Sequence, residues 1–326
     1  GKSGAERTMQ AAEGIQKPKF QHVKPFVRKN AVLLIAFSAA VVSAFLVPPD
    51  AQYAGYFDWK TLCCLFGTLA VVCALKNIHF FAILARKIIR LTGNARTAAI
   101  ALSYITFIGS MLIANEMALI TFLPLGYLVF SAVGKKRDVA LVFILQNIAA
   151  NLGGMLTPFG NPQNLYLYSH FQIPIGEFLS IMFWPFVVSI ALVTGCCFLI
   201  QPYALRVSDC REDRLPPMRT CLYLALFLMT ILMIFRLLPI WLVLAAVAAG
   251  LLILDRKALT MVDYGLLATF VCFFIFSGNM SRLPAVRSFF SGLLAQNTLL
   301  TAVFSCQFIS NVPSAILLSQ FTDQYA

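Results

Sequence analysis

The sequence predicts an all-α polytopic membrane protein, built from inverted repeats that contain re-entrant helical hairpins and a discontinuous helix. Of its 326 residues, 60% are hydrophobic and 12% are charged, which is more apolar surface than a soluble domain of this length can bury. Several apolar runs approach the roughly 18 to 20 residues that cross a bilayer as a helix. In addition, two similar segments with polar tips recur along the chain.

The predicted spans follow a polar and basic N-terminal tail, residues 1–29, which lacks the apolar core of a cleavable signal peptide. The clearest apolar runs are residues 30–47, 61–75, 178–200, 220–235, 239–254 and 264–277. Segment 79–93 alternates apolar and basic residues. This alternation predicts an interfacial helix that lies on the membrane surface.

The distribution of basic residues sets the predicted orientation. With the N-terminal tail in the cytoplasm, 21 of the 25 Lys and Arg residues are cytoplasmic, as the positive-inside rule expects. The net charge of +12 therefore reflects loops beside a membrane and does not indicate a nucleic-acid partner. We expect a multi-pass protein of the bacterial cytoplasmic membrane, in contact with the lipid bilayer, whose N-terminus is cytoplasmic.

Two stretches of the sequence resemble each other, IGSMLIANEMALITFLPL and SCQFISNVPSAILLSQF. The first has Asn115 at its polar tip and the second has Asn311, 196 residues later. Predicted spans that end in Asn77 and Asn279, 202 residues apart, precede the two tips. The predicted threading starts the two copies from opposite sides of the membrane, so they are expected to be inverted repeats.

The expected domain boundaries follow from this threading. The first repeat is residues 30–200 and the second is 220–326, joined by a cytoplasmic linker at 201–219. Hairpins are expected at 97–133 and 296–326. Arms of about 17 residues are long enough to cross the bilayer, which would put the two tips at opposite surfaces. Because the tips lack the Gly-rich polar loop of a surface turn, the sequence favours re-entrant hairpins with both tips near the midplane.

The stretch NLGGMLTPFGNPQNLYLY, residues 151–168, interrupts the apolar segment 139–168. One Pro would explain a kinked structural helix, but residues 151–164 contain two Pro, three Gly and four amides. Irregular backbone at membrane depth is tolerated where it is buried in protein or lines a polar cavity. We therefore expect a broken helix that forms a binding loop, whose free N–H groups attract anions and whose free carbonyl groups attract cations.

The candidate substrate- and ion-binding residues lie at the two tips and at this break. They are Asn115, Glu116, Asn151, Gly154, Thr157, Gly160, Asn161, Pro162, Asn164, Ser310, Asn311 and Ser314. Glu116 is the only acid well inside an apolar segment, so it is a candidate buried proton carrier, with a surface-exposed tip as the alternative. Thr157 either binds a ligand or bonds its own helix. Tyr166 and Tyr168 are expected at the membrane interface.

No Lys or Arg is expected near the breaks, so the charge of an anion would be met by helix N-termini, amides and a co-bound cation. The nine Cys have no CxxC spacing and the three His are scattered, so no resident metal or cofactor is expected. The sequence has no HExxH motif and no pair of intramembrane Asp residues, and it therefore does not favour an enzyme. Fixed polar breaks also suit a carrier better than a passive channel.

Three motifs in order, ANEMALITFLP, NIAANLGGMLTPFGNPQNLYLY and QFISNVPSAILL, resemble the ion-transporter superfamily of citrate and dicarboxylate permeases, divalent-anion/sodium symporters and arsenite permeases. The likeness covers about residues 30 to 326 and is greatest to compact bacterial anion permeases. The resemblance implies an elevator-type homodimer, whose transport domain has two hairpins and two broken helices.

In the sodium symporters, each cation site uses a Ser-Asn-Thr hairpin tip and the backbone of a facing broken helix. The resemblance therefore implies Asn115, Gly160, Ser310 and Asn311 as candidate Na⁺ ligands. The first tip here is Ala114-Asn115-Glu116, which loses a hydroxyl and gains an acid, so proton coupling is an alternative to sodium coupling.

The resemblance also bears on the length of the chain. Asn151 follows Asn115 by 36 residues, but the same distance after Asn311 lies beyond Ala326. We therefore expect the second repeat to be incomplete and the sequence to be C-terminally truncated, with the intact gene product as the active species.

Together these observations predict a secondary active transporter of small anions. The predicted substrate is citrate, a dicarboxylate or a related oxyanion, and the predicted coupling ion is Na⁺ or H⁺. The alternative prediction is a cation/proton antiporter centred on Glu116, which would use the same helix breaks.

Overall fold

The computed structural model describes residues 30–131, 136–205 and 214–323. Within these ranges the regular structure consists of fifteen α-helices and one short 3₁₀ helix, and no strand is formed beyond an isolated bridge between Asn94 and Ala204. The predicted all-α class is confirmed. The predicted N-terminal tail, residues 1–29, and residues 206–213 of the linker between the two predicted repeats lie outside the described residues.

The first helices begin with apolar spans and continue into an amphipathic helix. They are α1 (Ala31–Leu46), the 3₁₀ helix (Ala51–Tyr56), α2 (Trp59–Asn77) and α3 (Phe80–Ile89). The amphipathic helix predicted within residues 79–93 is α3, which buries Phe81 and Ile89. Its basic residues Lys87 and Arg90 are exposed.

The predicted first hairpin and broken helix are formed by four helices. They are α4 (Ala95–Ile113), α5 (Asn115–Ser131), α6 (Lys136–Gly153) and α7 (Pro162–His170). Helices α4 and α5 pack together and α6 packs on both. The side-chain amide of the buried Gln146 donates through Nε2 to the carbonyl oxygen of Phe122 on α5 at 3.0 Å and to the hydroxyl of Thr106 on α4 at 3.3 Å. One side chain of α6 therefore ties both hairpin arms to the broken helix.

Three apolar helices follow, and a second series of five helices completes the described chain. The three are α8 (Ile175–Cys197), α9 (Pro217–Ile234) and α10 (Ile240–Leu254). The five are α11 (Arg256–Thr260), α12 (Tyr264–Arg282), α13 (Pro284–Gln296), α14 (Thr298–Ile309) and α15 (Asn311–Leu318).

Five of the described helices, α2, α4, α8, α9 and α12, are long and apolar enough to cross a membrane. Buried residues make up 61% of the apolar window of α2 but only 11% of that of α8. Since α8 has the higher mean hydropathy of the two, its exposed surface suits contact with lipid, whereas α2 lies inside the bundle. The chain is therefore a multi-pass membrane protein.

Helices α2 and α12 share their length and their capping. Each has 19 residues and follows an Asp whose side chain accepts a hydrogen bond three residues on, Asp58 from the Thr61 N–H and Asp263 from the Leu266 N–H. Downstream, Asn94 caps α4 and Asn297 caps α14 in the same way. The local fold at both places follows from the preference of Asp and Asn for the N-cap position.

The two predicted repeats, residues 30–200 and 220–326, are also packed on each other reciprocally. Helix α1 lies along α12, while α10 packs on α2. Asn77 at the end of α2 donates to the Asp255 carboxylate at 2.8 Å. Asn279 near the end of α12 is fully buried and donates to the hydroxyl groups of Ser43 and Tyr53 at 3.0 and 2.8 Å. The two Asn residues that end the predicted spans therefore join the two halves of the chain.

Candidate functional site

The broken helix predicted at residues 139–168 is observed as α6 and α7, separated by irregular residues 154–161. A break frees backbone carbonyl groups at the end of the first helix. The Asn164 side chain on α7 donates to two of them, the oxygens of Gly154 at 3.3 Å and Met155 at 3.1 Å. An amide on the second half-helix thus stabilises the end of the first.

The interior of the break is packed too tightly for larger residues at its glycines. A Cβ added at Gly154 would lie 2.6 Å from the Oδ1 atom of the buried Asn161. A Cβ at Gly160 would overlap the carbonyl oxygen of Gly154. The Thr157 hydroxyl does not bond its own helix but donates to the Met111 carbonyl on α4 at 3.0 Å, and its role as a ligand stays a prediction. The break is therefore held against the first hairpin.

The first tip turns within a single residue. Ala114 connects α4 to α5 with φ 62° and ψ 157°, a backbone conformation that costs a residue with a Cβ about 1–3 kcal/mol. Asn115 then donates through Nδ2 to the Oδ1 atom of Asn151 at 3.0 Å, and Asn151 donates to the Asn147 carbonyl at 2.9 Å. The tip and the end of α6 thus present a row of three amides, of which Asn147 was not anticipated from the sequence.

Glu116 is exposed on this tip. The predicted burial of this acid within the chain is therefore wrong, whereas the depth of the tip in the membrane and the role of Glu116 as a proton carrier stay predictions. Its backbone N–H donates to the Oδ1 atom of Asn115 at 2.9 Å, so the residue takes part in the tip through its main chain.

The second tip repeats the backbone geometry of the first. Ser310 connects α14 to α15 with φ 73° and ψ 167°, close to the values of Ala114. Asn311 follows and is exposed. Ser314 is buried, and its hydroxyl donates to the Ser305 hydroxyl at 2.8 Å. Two different residue types adopt this uncommon conformation directly before an Asn, which links the two tips as equivalent structures.

Helix α7, which begins where the break ends, and the second tip border a cavity of about 340 Å³ between α7 and α13–α15. Gln163 of α7, Asn311 and Ser314 of α15, and Thr298 of α14 are among its polar lining residues. Its apolar lining residues include Leu167, Phe171, Leu294, Leu299, Ala302, Ala315 and Leu318. The first turn of α7, at Gln163, therefore lies beside the second tip.

Tyr166 and Tyr168 are buried, at 1% and 3% exposure, so their predicted interfacial position is wrong. The two residues lie on opposite sides of α7, about 200° apart, and each packs on a different neighbour, Tyr166 on Phe274 and Tyr168 on Phe178. Tyr166 bonds Ser319 beside α15. Arg236 donates to the Tyr168 carbonyl at 2.9 Å, and its guanidinium lies 4.7 Å from the ring centre.

The expectation that no Lys or Arg lies near the breaks is wrong at the first tip. The Lys76 ammonium lies 3.8 Å from the Met117 sulfur beside this tip, whereas Arg236 contacts the C-terminal part of α7, away from residues 154–161. Both residues are distant in sequence from the segments they contact, so no local pattern could have revealed them.

The remaining predicted ligands occupy separate places within these elements. Pro162 is the first residue of α7, and Asn161 precedes it as N-cap without a side-chain capping bond. The candidate Na⁺ ligands stay a prediction: Asn115 pairs with Asn151, Gly160 packs on Gly154, and Ser310 and Asn311 are exposed at the second tip. Among the described residues no group of three or more His, Cys, Asp or Glu could hold a metal ion.

A bundle of apolar helices with an amide-lined break and two matching tips defines a class of protein, the membrane solute transporters. The comparison with known families is more specific. The model of the family described as citrate transporter matches residues 19–324. The chain therefore belongs to the citrate transporter family, and this family is one of transporters, not of enzymes.

Several relatives share this similarity. Inner membrane protein YbiR of Escherichia coli is 28% identical over 85% of this chain and 76% of its own length. An uncharacterized transporter of Methanocaldococcus jannaschii is 27% identical over 80% of this chain and 72% of its own. The silicon efflux transporter LSI3 of rice, Oryza sativa subsp. japonica, is 31% identical over 46% of this chain and 29% of its own length.

Proposed function

We propose that this chain is a secondary active transporter of small anions, taking citrate, another small carboxylate or a related oxyanion, coupled to Na⁺ or H⁺. One observation carries the proposal: the first turns of two half-helices, α7 and α15, border the same cavity with the amides Gln163 and Asn311. The family membership supports solute transport, and this geometry supports an anion as the solute.

The physical argument begins with the helix starts. The first N–H groups of a helix have no partner within it, and the aligned peptide dipoles give this end about half a positive charge. Anions bind at such ends. Pro162 suits the first position of α7, since its missing N–H would not be used within the helix. The side-chain amides of Gln163 and Asn311 add donors without adding a fixed charge.

The cavity also limits the kind of anion. Its volume of about 340 Å³ falls within the range of about 300–1,000 Å³ that is typical of small-molecule sites. Leu167, Leu299 and Leu318 form part of an apolar wall, which can contact a carbon skeleton. A carboxylate with a short carbon chain therefore matches the lining better than a bare inorganic ion.

The features that recur in both halves of the chain support the proposal that residues 30–200 and 220–326 are inverted repeats. The paired caps, the paired Asn residues and the paired tips recur in the same order, and the packing of α1 on α12 and of α10 on α2 is reciprocal. Together with the distribution of basic residues, this supports a bacterial inner-membrane carrier with a cytoplasmic N-terminus. An elevator-type homodimer is proposed from the family resemblance alone.

The cation/proton antiporter centred on Glu116 has less support. Glu116 does not line the cavity that α7 and α15 border, so the helix N-termini that form the proposed site do not meet at this acid. We therefore retain anion symport as the proposed function.

The test is uptake by proteoliposomes that contain the purified full-length protein. Labelled citrate, succinate, sulfate and silicic acid are supplied with Na⁺ and pH gradients imposed separately; silicic acid is included because one relative is named a silicon efflux transporter. We expect carboxylate uptake driven by one of the two gradients. Gln163→Ala and Asn311→Ala should reduce it, whereas Gln52→Ala, an exposed amide outside the cavity, should not. Absence of gradient-driven uptake of every anion would contradict the proposal.

A further inference from the structure

The end of α2 carries a basic side chain that lies against the first hairpin. Lys76 is half-buried at the end of an otherwise apolar span, and its ammonium group lies 3.8 Å from the Met117 sulfur of α5. Among the described residues, no carboxylate oxygen lies within 4.0 Å of this ammonium. A partly desolvated cation without a neighbouring anion is unfavourable, so a bound anion would stabilise it.

The acid bonded at the end of α2 is already engaged. Asp255 accepts the Asn77 amide at 2.8 Å through one oxygen, and it caps α11 through the other, which accepts from the Ala258 N–H at 3.2 Å. Asn77, the direct neighbour of Lys76, therefore bonds this carboxylate, whereas the described residues give Lys76 no carboxylate partner within 4.0 Å. The Lys76 ammonium lies instead on the side of the helix end that faces α5.

That side opens into a second cavity, of about 170 Å³, between the end of α2, the start of α3 and α5. Lys76 and His79 supply its nitrogen groups, and Thr121 supplies a hydroxyl. The Thr121 hydroxyl already donates to the Met117 carbonyl at 2.7 Å, so it shapes the wall and leaves donation to the other two. The cavity is several times larger than the roughly 30 Å³ that one water molecule occupies, which leaves room for a small anion.

The position of the cavity relates it to the proposed carrier site. Met117 lies two residues after Asn115 at the first tip, and the cavity joins the end of α2 to the arm of the first hairpin. It shares no lining residue with the cavity between α7 and α15. An anion held here would lie beside the first tip, apart from the second.

We propose that Lys76 and His79 form a second anion site, which captures a small carboxylate beside the first tip. The inference rests on the proposed function for the chemical class of the anion, and it adds a place of binding on the α2 side of the hairpin. A charge-assisted hydrogen bond from Lys76 to a carboxylate is the dominant contact, and the His79 imidazole is the second donor.

The first test measures citrate binding to the purified full-length protein by equilibrium dialysis. Lys76→Met keeps the apolar stem and removes the charge, and we expect at least about tenfold weaker citrate binding at one site. Lys76→Arg should retain binding. Lys87→Met, which removes an exposed charge from the neighbouring α3, is the matched control and should bind as the unmodified protein does. Equal binding by the Lys76→Met and Lys87→Met proteins would overturn the proposal.

A second test needs no variant, so a folding defect cannot obscure it. The wild-type protein is acetylated with a lysine-selective reagent, with and without citrate, and the modified positions are quantified by mass spectrometry. Citrate should slow acetylation of Lys76 several-fold and leave that of Lys87 unchanged. Equal rates at Lys76 with and without citrate would count against the site. If citrate protects Lys76 but the protein transports no anion, the second anion site is supported and the proposed function is contradicted. If the protein transports an anion but citrate does not protect Lys76, the proposed function is supported and the second anion site is contradicted.

Discussion

The hydroxyl groups of Tyr166 and Ser319 lie 2.8 Å apart, and both residues are buried. Tyr166 belongs to the second half of the broken helix, and Ser319 directly follows α15 at the wall of the larger cavity. This bond therefore fixes α7 against the C-terminal end of α15, and both helices border the proposed anion site.

Replacing Tyr166 by Phe should loosen this junction. The change removes the bond to Ser319 and the acceptor of the Gln320 side chain. Hydrogen bonds between membrane helices contribute on average about 0.6 kcal/mol and at most about 1.7 kcal/mol, so the expected loss of stability is about 1 kcal/mol. Thermal unfolding in detergent measures it. Tyr127→Phe, which alters an exposed hydroxyl, is the control and should leave the melting temperature unchanged.

The two Asn residues at the span ends should differ in their contribution to stability. Asn279 is fully buried, donates to Ser43 and Tyr53, and accepts from Tyr56 at 3.1 Å. Asn77 is half-buried and makes one described side-chain bond, to Asp255. Because unmet buried polar groups cost about 1–3 kcal/mol each, Asn279→Ala should lower the unfolding midpoint more than Asn77→Ala. Equal unfolding midpoints for the two variants in the same detergent, or a lower midpoint for Asn77→Ala, would contradict this prediction.

Arg282 and Asp50 form an exposed ion pair whose contribution should depend on pH. The side-chain hydrogen bond from Arg282 lowers the pKa of Asp50 below its ordinary value of 3.8. The stabilisation is therefore complete above pH 3.8 and is lost as the pH falls through the lower pKa of the folded state. Arg282→Gln should lower the melting temperature at pH 7, and the difference from wild type should shrink at pH 3. The same difference should shrink in 1 M salt, and Arg287→Gln is the control.

The sequence was sufficient for the class of the fold and for the position of its breaks. Apolar length predicted the spans because a bilayer fixes the minimum helix length. The excess of Gly, Pro and amides predicted the break between Gly153 and Pro162 because those residues disfavour a continuous helix. The tips were predicted at Asn115 and Asn311 because polar residues between apolar arms are energetically costly in a membrane unless they form hydrogen bonds or bind a ligand.

The surroundings of individual side chains could not be read from the sequence in the same way. Whether Glu116 is buried depends on how α5 packs, and Tyr166 becomes a core residue only through contact with α12 and Ser319. Lys76 approaches α5 beside the first tip, and Arg236 approaches the C-terminal part of α7, from distant parts of the chain. Such contacts depend on tertiary packing, which local periodicity does not encode.

The tight packing inside the break predicts a sharp difference between two Gly→Ala changes. In Gly154→Ala the new methyl group would meet the Asn161 side chain at 2.6 Å, so the break must shift and the proposed uptake should fall severalfold or more. Gly195→Ala lies in the last turn of α8, where no atom outside the helix's own nearby backbone lies within 4 Å of the new Cβ. Because Ala favours a helix over Gly by up to about 1 kcal/mol, this control should fold at least as well as wild type. Normal uptake by the Gly154→Ala protein would show that the break tolerates movement.

Substitutions at Asn115 and Glu116, which are adjacent in the first tip, distinguish anion symport from cation/proton antiport. Glu116 is exposed, so Glu116→Gln should leave at least about half of the carboxylate uptake if anion symport is the function, whereas a proton antiporter centred on this acid would lose its activity. Asn115→Ala removes the bond to Asn151 and the acceptor of the Glu116 N–H, and two hydrogen bonds at about 1 kcal/mol each are enough to reduce uptake by tenfold or more if the tip geometry is required. Uptake is compared at equal protein incorporation, with the Na⁺ and pH gradients applied separately. If Glu116→Gln abolished proton-linked cation exchange while Asn115→Ala had no effect on carboxylate uptake, the antiporter would replace the anion carrier as the best account of the tip.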